Sequence, residues 1–233
     1  MADNPHTSQS FPFGGNMKGP LPRLHPTPPQ PCHVIQYLHN VMSAQQVEEA
    51  QQLYHLESRP DGGIIFWLTD AAGQCTDGKV MYYKADGHRD KDQRFHPRWV
   101  SKILPNAQKS ECSASRLYGQ HLLALFPDRP VCIVESEKTA ILASQWLDSA
   151  GYIWMATGGE SFLKVESFAA LADRPVIVFP DTDPTGKTFR TWREICQKAA
   201  SLYSMQIYCS PLLEEIATSD EKERKIDIAD LFT

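Results

Sequence analysis

Apolar positions along the chain follow two different periods. Ser43 with Gln46 three residues later is a capping-box signature, and Val47, Ala50 and Tyr54 follow on one helical face. A short helix is predicted there. Beyond Pro60-Asp61-Gly62-Gly63 the period changes. Ile64–Leu68 reads as a strand, Asp70–Gly73 as a turn, Lys79–Tyr83 as a second strand and Asp86-Gly87 as a further turn. These elements predict a small β-rich unit reaching about Leu104.

From Arg129 the pattern becomes regular. Val131–Val134 is a short apolar strand, followed by a helical stretch from Ser136 to about Asp148. Tyr152–Ala156 is a second strand ending at Thr157-Gly158-Gly159, with a helix predicted through Phe162 to Leu171. Val176–Phe179 is a third strand, running into the loop Pro180–Gly186. A long helix to about Tyr203 and a strand over Met205–Cys209 complete the series. Strands alternating with helices of this length imply βαβ units, hence an α/β fold with a parallel sheet and helices on both faces. No repeat of fixed period is visible.

The first 31 residues differ in kind. They hold eight of the seventeen prolines, interrupted by Gly14-Gly15 and polar residues, too little apolar surface to offset the entropy of ordering. A flexible tail is expected, with Pro26–Pro31 as a polyproline ligand or plain linker. The expected organisation is tail 1–31, β-rich basic subdomain 32–126 and α/β domain 127–233.

Composition narrows the class. The chain is 42% hydrophobic and 22% charged, ordinary for a globular protein with a core. No apolar run approaches the roughly 18 residues of a membrane span, and the N-terminus lacks a signal layout. Six scattered cysteines without C-x-x-C spacing argue against a zinc site or a disulfide framework, so a cytoplasmic location with reduced thiols is expected. The net charge of −5 is unevenly spread. The segment Lys79–Arg116 carries nine basic residues against four acids, so the remainder is −10. Aromatics interleaved with those bases suit a nucleic-acid platform, and equally a half-buried sheet with a solvated basic face.

Carboxylates mark where chemistry could sit. In an open α/β sheet, ligands bind beyond the carboxyl ends of the strands. One strand here ends at Glu135, with Glu137 just beyond. Another ends at Asp181 and Asp183. Acids on one sheet edge repel unless a cation lies between them, and an oxygen-only set favours Mg²⁺ or Mn²⁺ over zinc. The alternative is that acids after strands cap the helices that follow. Gly186-Lys187-Thr188 has the tail of a P-loop, but the loop's first glycine is missing, since Asp181 stands there.

Val134-Glu135-Ser136-Glu137-Lys138, Thr157-Gly158-Gly159 and Phe179–Gly186 together resemble a TOPRIM domain, the catalytic module of bacterial DnaG-type primases, type IA and type II topoisomerases and some nucleases. Phe66–Gly73, Gly78–Tyr83 and Leu117-Tyr118-Gly119-Gln120 are similar to the basic subdomain preceding it in bacterial primases. Lys225–Phe232 resembles the Asp-containing segment that closes such cores. The likeness runs from about Gln51 to the C-terminus.

The resemblance implies a Rossmann-like TOPRIM fold and Mg²⁺-dependent (or Mn²⁺-dependent), primase-like nucleotidyl transfer on single-stranded DNA, in replication of a mobile element. It implies Glu135, Asp181 and Asp183 as catalytic and metal-holding residues. Lys79, Lys84, Arg89, Lys91, Arg94 and Arg98 would hold nucleic-acid or nucleotide phosphates. Glu137, Lys138, Gly158, Gly159, Lys187 and Asp227 are secondary candidates. Single-stranded DNA and nucleoside triphosphates are the implied partners. Two positions depart from the family: Ser136 where it usually has Gly, and Thr185 where it usually has Ala. A helicase or zinc module would act in trans, since neither companion domain is recognisable in the chain. The same carboxylates would equally serve an Mg²⁺-dependent nuclease, and a fold that lost turnover would remain a nucleic-acid-binding module.

Overall fold

The computed structural model describes residues 30–103, 116–147, 151–171 and 174–232. Most of the expected tail, together with Lys109 and Cys112, lies outside the described residues. The upstream part contains α1 (His33–Val41), α2 (Ala44–Leu53), β1 (Glu57–Ser58), β2 (Ile64–Thr69), β3 (Cys75–Met81), β4 (Arg98–Trp99) and α3 (Val100–Ile103). The downstream part contains α4 (Leu122–Leu125), β5 (Val131–Val134), α5 (Glu137–Trp146), β6 (Ile153–Ala156), β7 (Val176–Val178), α6 (Lys187–Tyr203), β8 (Ile207–Cys209), α7 (Leu212–Ile216) and α8 (Ser219–Arg224). Among the described residues no helix is long and apolar enough to cross a membrane.

β1–β4 form an antiparallel sheet in sequence order, and the four later strands form a parallel sheet in the order β6-β5-β7-β8. β2 carries five apolar residues in a row because both of its faces are covered. Ile64, Phe66 and Leu68 join the main core, while Ile65 and Trp67 join a smaller cluster with Val80, Tyr82 and Val100. Gly78, opposite Trp67 in the hairpin register, must lack a side chain, since a Cβ there would lie 2.7 Å from the indole.

Ser43 and Gln46 form the predicted capping box at the start of α2. The sequence pattern does not predict α1, although Val34 and Leu38 stand four apart on its buried face. The helix expected through Phe162 to Leu171 is instead two 3-10 segments, Glu160–Phe162 and Val165–Leu171. The reason is local: Phe162 N–H bonds to Gly159 O and Ser167 N–H to Lys164 O, each a three-residue closure.

The main core is continuous across both sheets and across the expected boundary at 126/127, with Leu123 and Val131 in one cluster. An aromatic seam joins the halves. Tyr54 stacks on Tyr118 at 5.5 Å, and Phe66 meets Tyr118 edge-on at 5.4 Å. The Tyr54 hydroxyl donates to Trp154 O at 2.8 Å, and Tyr118 pairs with Ala156 through two backbone hydrogen bonds.

His121 lies beside this seam. Its Nε2–H donates to Leu53 O at 2.8 Å, while Nδ1 is buried without a partner among the described residues. Burial pushes the imidazole down from 6.5 to about 4, with the Leu53 bond opposing and the neighbouring His55, at 4.7 Å, adding to the shift. An unfolded His takes up its proton near pH 6.5 and the folded one only near pH 4. The associated stability is therefore complete above the unfolded value and is lost as pH falls between the two. Urea denaturation should show a loss of about 2 kcal/mol between pH 7.5 and pH 5. His121→Gln, which keeps a donor for Leu53, should remove most of that increment.

Candidate active site

In the order β6-β5-β7-β8 the chain steps from β5 to β6 on one side, then crosses to β7 and β8 on the other. The switch point therefore lies between β5 and β7, and ligand crevices open there beyond the carboxyl ends of the strands. Glu135 follows β5 directly and Asp181 lies three residues beyond β7, so the topology itself brings them together.

They form part of a cleft of about 630 Å³, together with Lys79, Lys84, Arg89, Lys91, Glu137, Lys138, Gly158, Gly159 and Asp227. Arg94, Arg98, Asp183 and Lys187 do not line it. Arg94 is spent on its own neighbour Asp92 at 2.9 Å, with its side chain 73% exposed, and Arg98 is exposed on β4. Lys187 is exposed at the start of α6. Arg224 and Lys225, which sequence reasoning passed over, also line the cleft. The signal was available, since Lys225 opens the segment that contains Asp227 and Arg224 stands just before it.

The acids divide by how their oxygens are used. Asp183 Oδ1 accepts from Thr185 N–H at 2.9 Å and from the Thr185 hydroxyl at 2.6 Å, and Oδ2 accepts from Thr188 N–H at 2.6 Å. Burial opposes its charge, but these donors outweigh burial and hold the carboxyl well below the usual range. Its present role is to close the loop into α6. Asp227 is likewise engaged. It caps the 3-10 turn Ile228–Leu231 through Ala229 and Asp230 N–H and accepts from the Thr139 hydroxyl.

Asp181 is the opposite case. Its Oδ1 is sealed from solvent and has no hydrogen-bond partner among the described residues. Burial pushes the carboxyl well above the usual range, reinforced by Glu135, Asp227 and Asp230, while Lys225 pulls it back. Glu135 is raised as well, by burial first and then by Glu160, against the Glu160 N–H, Lys225 and Lys79. Both carboxyls are raised, and Glu135 adds to the rise at Asp181, so the edge around Asp181 is short of positive charge. Among the described residues, no three metal-ligating side chains converge on one point.

Lys79 sits below the surface. Only 7% of it is exposed, and its Nζ donates to Glu137 Oε1 at 2.9 Å, Glu137 Oε2 at 3.2 Å and Gly158 O at 2.6 Å. Glu137 is 3% exposed at the first turn of α5, where the helix dipole favours a negative charge. Gly158 has φ +82°, and a Cβ there would meet Glu137 Oε1 at 3.0 Å. With Lys79 and Glu137 neutralising one another, six bases line the cleft against four acids, and Lys84, Arg89 and Lys91 stand exposed in it.

The family model described as a domain of unknown function, DUF6371, matches residues 33–182. The chain belongs to this family. The DUF6371 match covers the antiparallel sheet, the Lys79–Glu137 pair and the loop as far as Asp181. No curated protein matches the chain in sequence. Among solved structures, the RNA polymerase domain of Mycobacterium tuberculosis primase DnaG superposes with TM-score 0.46 at 15% identity, over 88% of this chain and 63% of that one. The primase fragment of the bacteriophage T7 primase-helicase gives 0.45 at 13% identity, over 70% and 60%. The zinc-binding and RNA polymerase domains of Aquifex aeolicus primase give 0.43 at 15% identity, over 77% and 45%. The chain thus spans less than two thirds of each of these three structures.

Breaking a buried ion pair leaves a lone charge in a low dielectric, which costs about 3–5 kcal/mol. Lys79→Met should destabilise the protein by that amount in urea. The double variant Lys79→Met/Glu137→Met should recover much of the loss, because neither charge is then stranded.

Proposed function

We propose that this protein carries out Mg²⁺-dependent, primase-like nucleotidyl transfer on single-stranded DNA. The observation that carries the proposal is the sealed, unpartnered Asp181 oxygen beside Glu135, at the switch point of a parallel sheet and in a cleft with an excess of bases. The TOPRIM-like motifs that contain Glu135 and Asp181 support it.

A divalent cation fits this edge. A carboxylate with a buried oxygen that lacks a donor, raised by a second carboxylate, is a group whose charge becomes favourable when a cation arrives. Mg²⁺ is commonly bound by one or two carboxylates with water completing its shell, so Asp181 and Glu135 would suffice to hold it. Asp183 and Asp227 would have to give up their caps to join. The ion, when bound, would stabilise the charge that develops on the phosphoryl oxygens during transfer. Lys84, Arg89 and Lys91 would hold strand or nucleotide phosphates along the cleft. Asp181 would be the cation anchor, and Glu135, on the adjoining loop, would face the reacting group.

Primer synthesis from template and nucleoside triphosphates, run beside calorimetric Mg²⁺ titration, tests this. Asp181→Asn should weaken Mg²⁺ binding, and Glu135→Gln should leave DNA binding intact. Each should cut turnover on the order of 10²-fold or more, as removal of a group that stabilises transition-state charge does. Wild type that binds no divalent ion, even with DNA present, would leave only a binding module. Strand cleavage without nucleotides would point to a nuclease.

Ala replacement of Lys84, Arg89 and Lys91 should weaken single-stranded DNA binding at low salt. It should also flatten the dependence of log affinity on log salt by about one unit for each phosphate that is no longer neutralised.

A further inference from the structure

Behind the Lys79–Glu137–Gly158 bridge lies a second cavity, of about 260 Å³, which shares Glu137 and Gly158 with the cleft as a common wall. Its character is different. Leu68, Tyr118, Trp99 and Phe162 make it largely apolar and aromatic. Trp99 pairs with Lys79 across β3 and β4, so the two side chains stand on the same face of the sheet. Phe162 is 42% exposed, an unusual place for a phenyl ring held this firmly. Its turn is closed by Phe162 N–H to Gly159 O and anchored by the Trp192 indole N–H donating to Glu160 O at 3.0 Å. The Trp99 and Phe162 rings meet at 83° with centroids 6.2 Å apart. Two rings at right angles form a corner in which a third flat ring can stack on one face and meet the other edge-on.

The polar groups of the cavity restrict what that ring can be. Asp77 is fully used, accepting from Gly78 N–H, Ser101 N–H and the Ser101 hydroxyl. Glu137 is used by Lys79. Arg116, by contrast, has a buried Nε–H with no partner among the described residues, while its Nη1 is held by Asp70 at 3.0 Å. The carboxylates of the wall are therefore committed, and its other charged groups, Lys102 and Arg116, are cations, which suits a flat ring bearing carbonyl acceptors.

We propose that this cavity is a stacking subsite for one unpaired nucleobase of a single DNA strand whose phosphates follow the basic cleft. The proposal rests on the reading of that cleft as the strand's path. Stacking on aromatic side chains beside a positively charged groove is how single strands are held without sequence preference, because every base has a π-face. Placing both subsites on one wall allows a single nucleotide to engage each, phosphate in the cleft and base in the corner.

Anisotropy titrations with oligothymidylate and with an abasic oligomer of the same length test the idea. Wild type should bind the base-bearing strand roughly tenfold more tightly than the abasic one, the scale of one stacked base. Phe162→Ala should lose most of that preference while keeping its affinity and salt slope for the abasic strand. Phe162 is partly exposed, so this variant should fold, and Trp99→Leu provides a second, independent loss. Ala replacement of Lys84, Arg89 and Lys91 should instead weaken both oligomers alike and flatten the slope. Undiminished preference in both aromatic variants, with the basic variant still defective, would overturn the base pocket and leave the cleft intact. Failure of wild type to bind either oligomer would overturn the reading of the cleft, and the pocket with it. Saturable binding of free deoxythymidine that Phe162→Ala abolishes, with oligomer binding unchanged, would replace the proposal by a mononucleoside site.

Discussion

Everything about the cleft depends on one buried ammonium. Lys79 leaves the antiparallel sheet, and its charge is neutralised by Glu137 on α5 and by the Gly158 carbonyl after β6. An ammonium so enclosed needs acceptors to offset its lost hydration, and each acceptor here comes from the other half of the molecule. The bridge therefore joins the two sheets electrostatically where the Tyr54–Tyr118–Phe66 seam joins them by packing. It also explains Gly158: the positive φ and the 3.0 Å approach of Glu137 Oε1 leave no room for a side chain.

The acids around the bridge show how identical groups acquire opposite properties. Asp181 and Asp183 are two residues apart on one loop. Asp183 is held down by donors from Thr185 and Thr188, and Asp181 is pushed up because burial and other carboxylates surround it with too little to offset them. A loop that satisfied both would have no use for a cation. One that satisfied neither would leave the start of α6 without its carboxylate cap. The observed division spends one aspartate on the scaffold and leaves an oxygen of the other without a donor among the described residues.

That division marks the limit of what the sequence discloses. The parallel sheet was legible because Val131–Val134, Ile153–Ala156 and Val176–Val178 are uninterrupted apolar runs, the signature of strands covered on both faces. The convergence of Glu135 and Asp181 on one cleft was legible because chain order places strand ends on a common edge. Lys79 was not. A lysine in a strand beside other bases reads as part of a solvated basic face, and its partner lies 58 residues away. Asp183 shows another limit: an acid after a strand is compatible with ion binding and with capping, and the sequence does not reveal the Thr185 and Thr188 donors that engage its oxygens here. The 3-10 turns were missed for a related reason, since Gly159 and Lys164 close turns one residue short of the α spacing.

The placement of Lys79 also bears on what the β-rich segment is for. A separate nucleic-acid-binding arm would have its own core and would touch the α/β half only through its surface. Here the hydrophobic core runs without a break from α1 to the C-terminal 3-10 turn, and β3 supplies the cation that neutralises the floor of the cleft. β4 supplies Trp99 to the far side of the same wall, directly across the register from that lysine. Moving the antiparallel sheet would strand Glu137, open the wall between cleft and cavity and displace the aromatic corner together. The two sheets thus behave as one unit, in which the strand-order reversal of one half and the hairpin register of the other meet at a single ion pair.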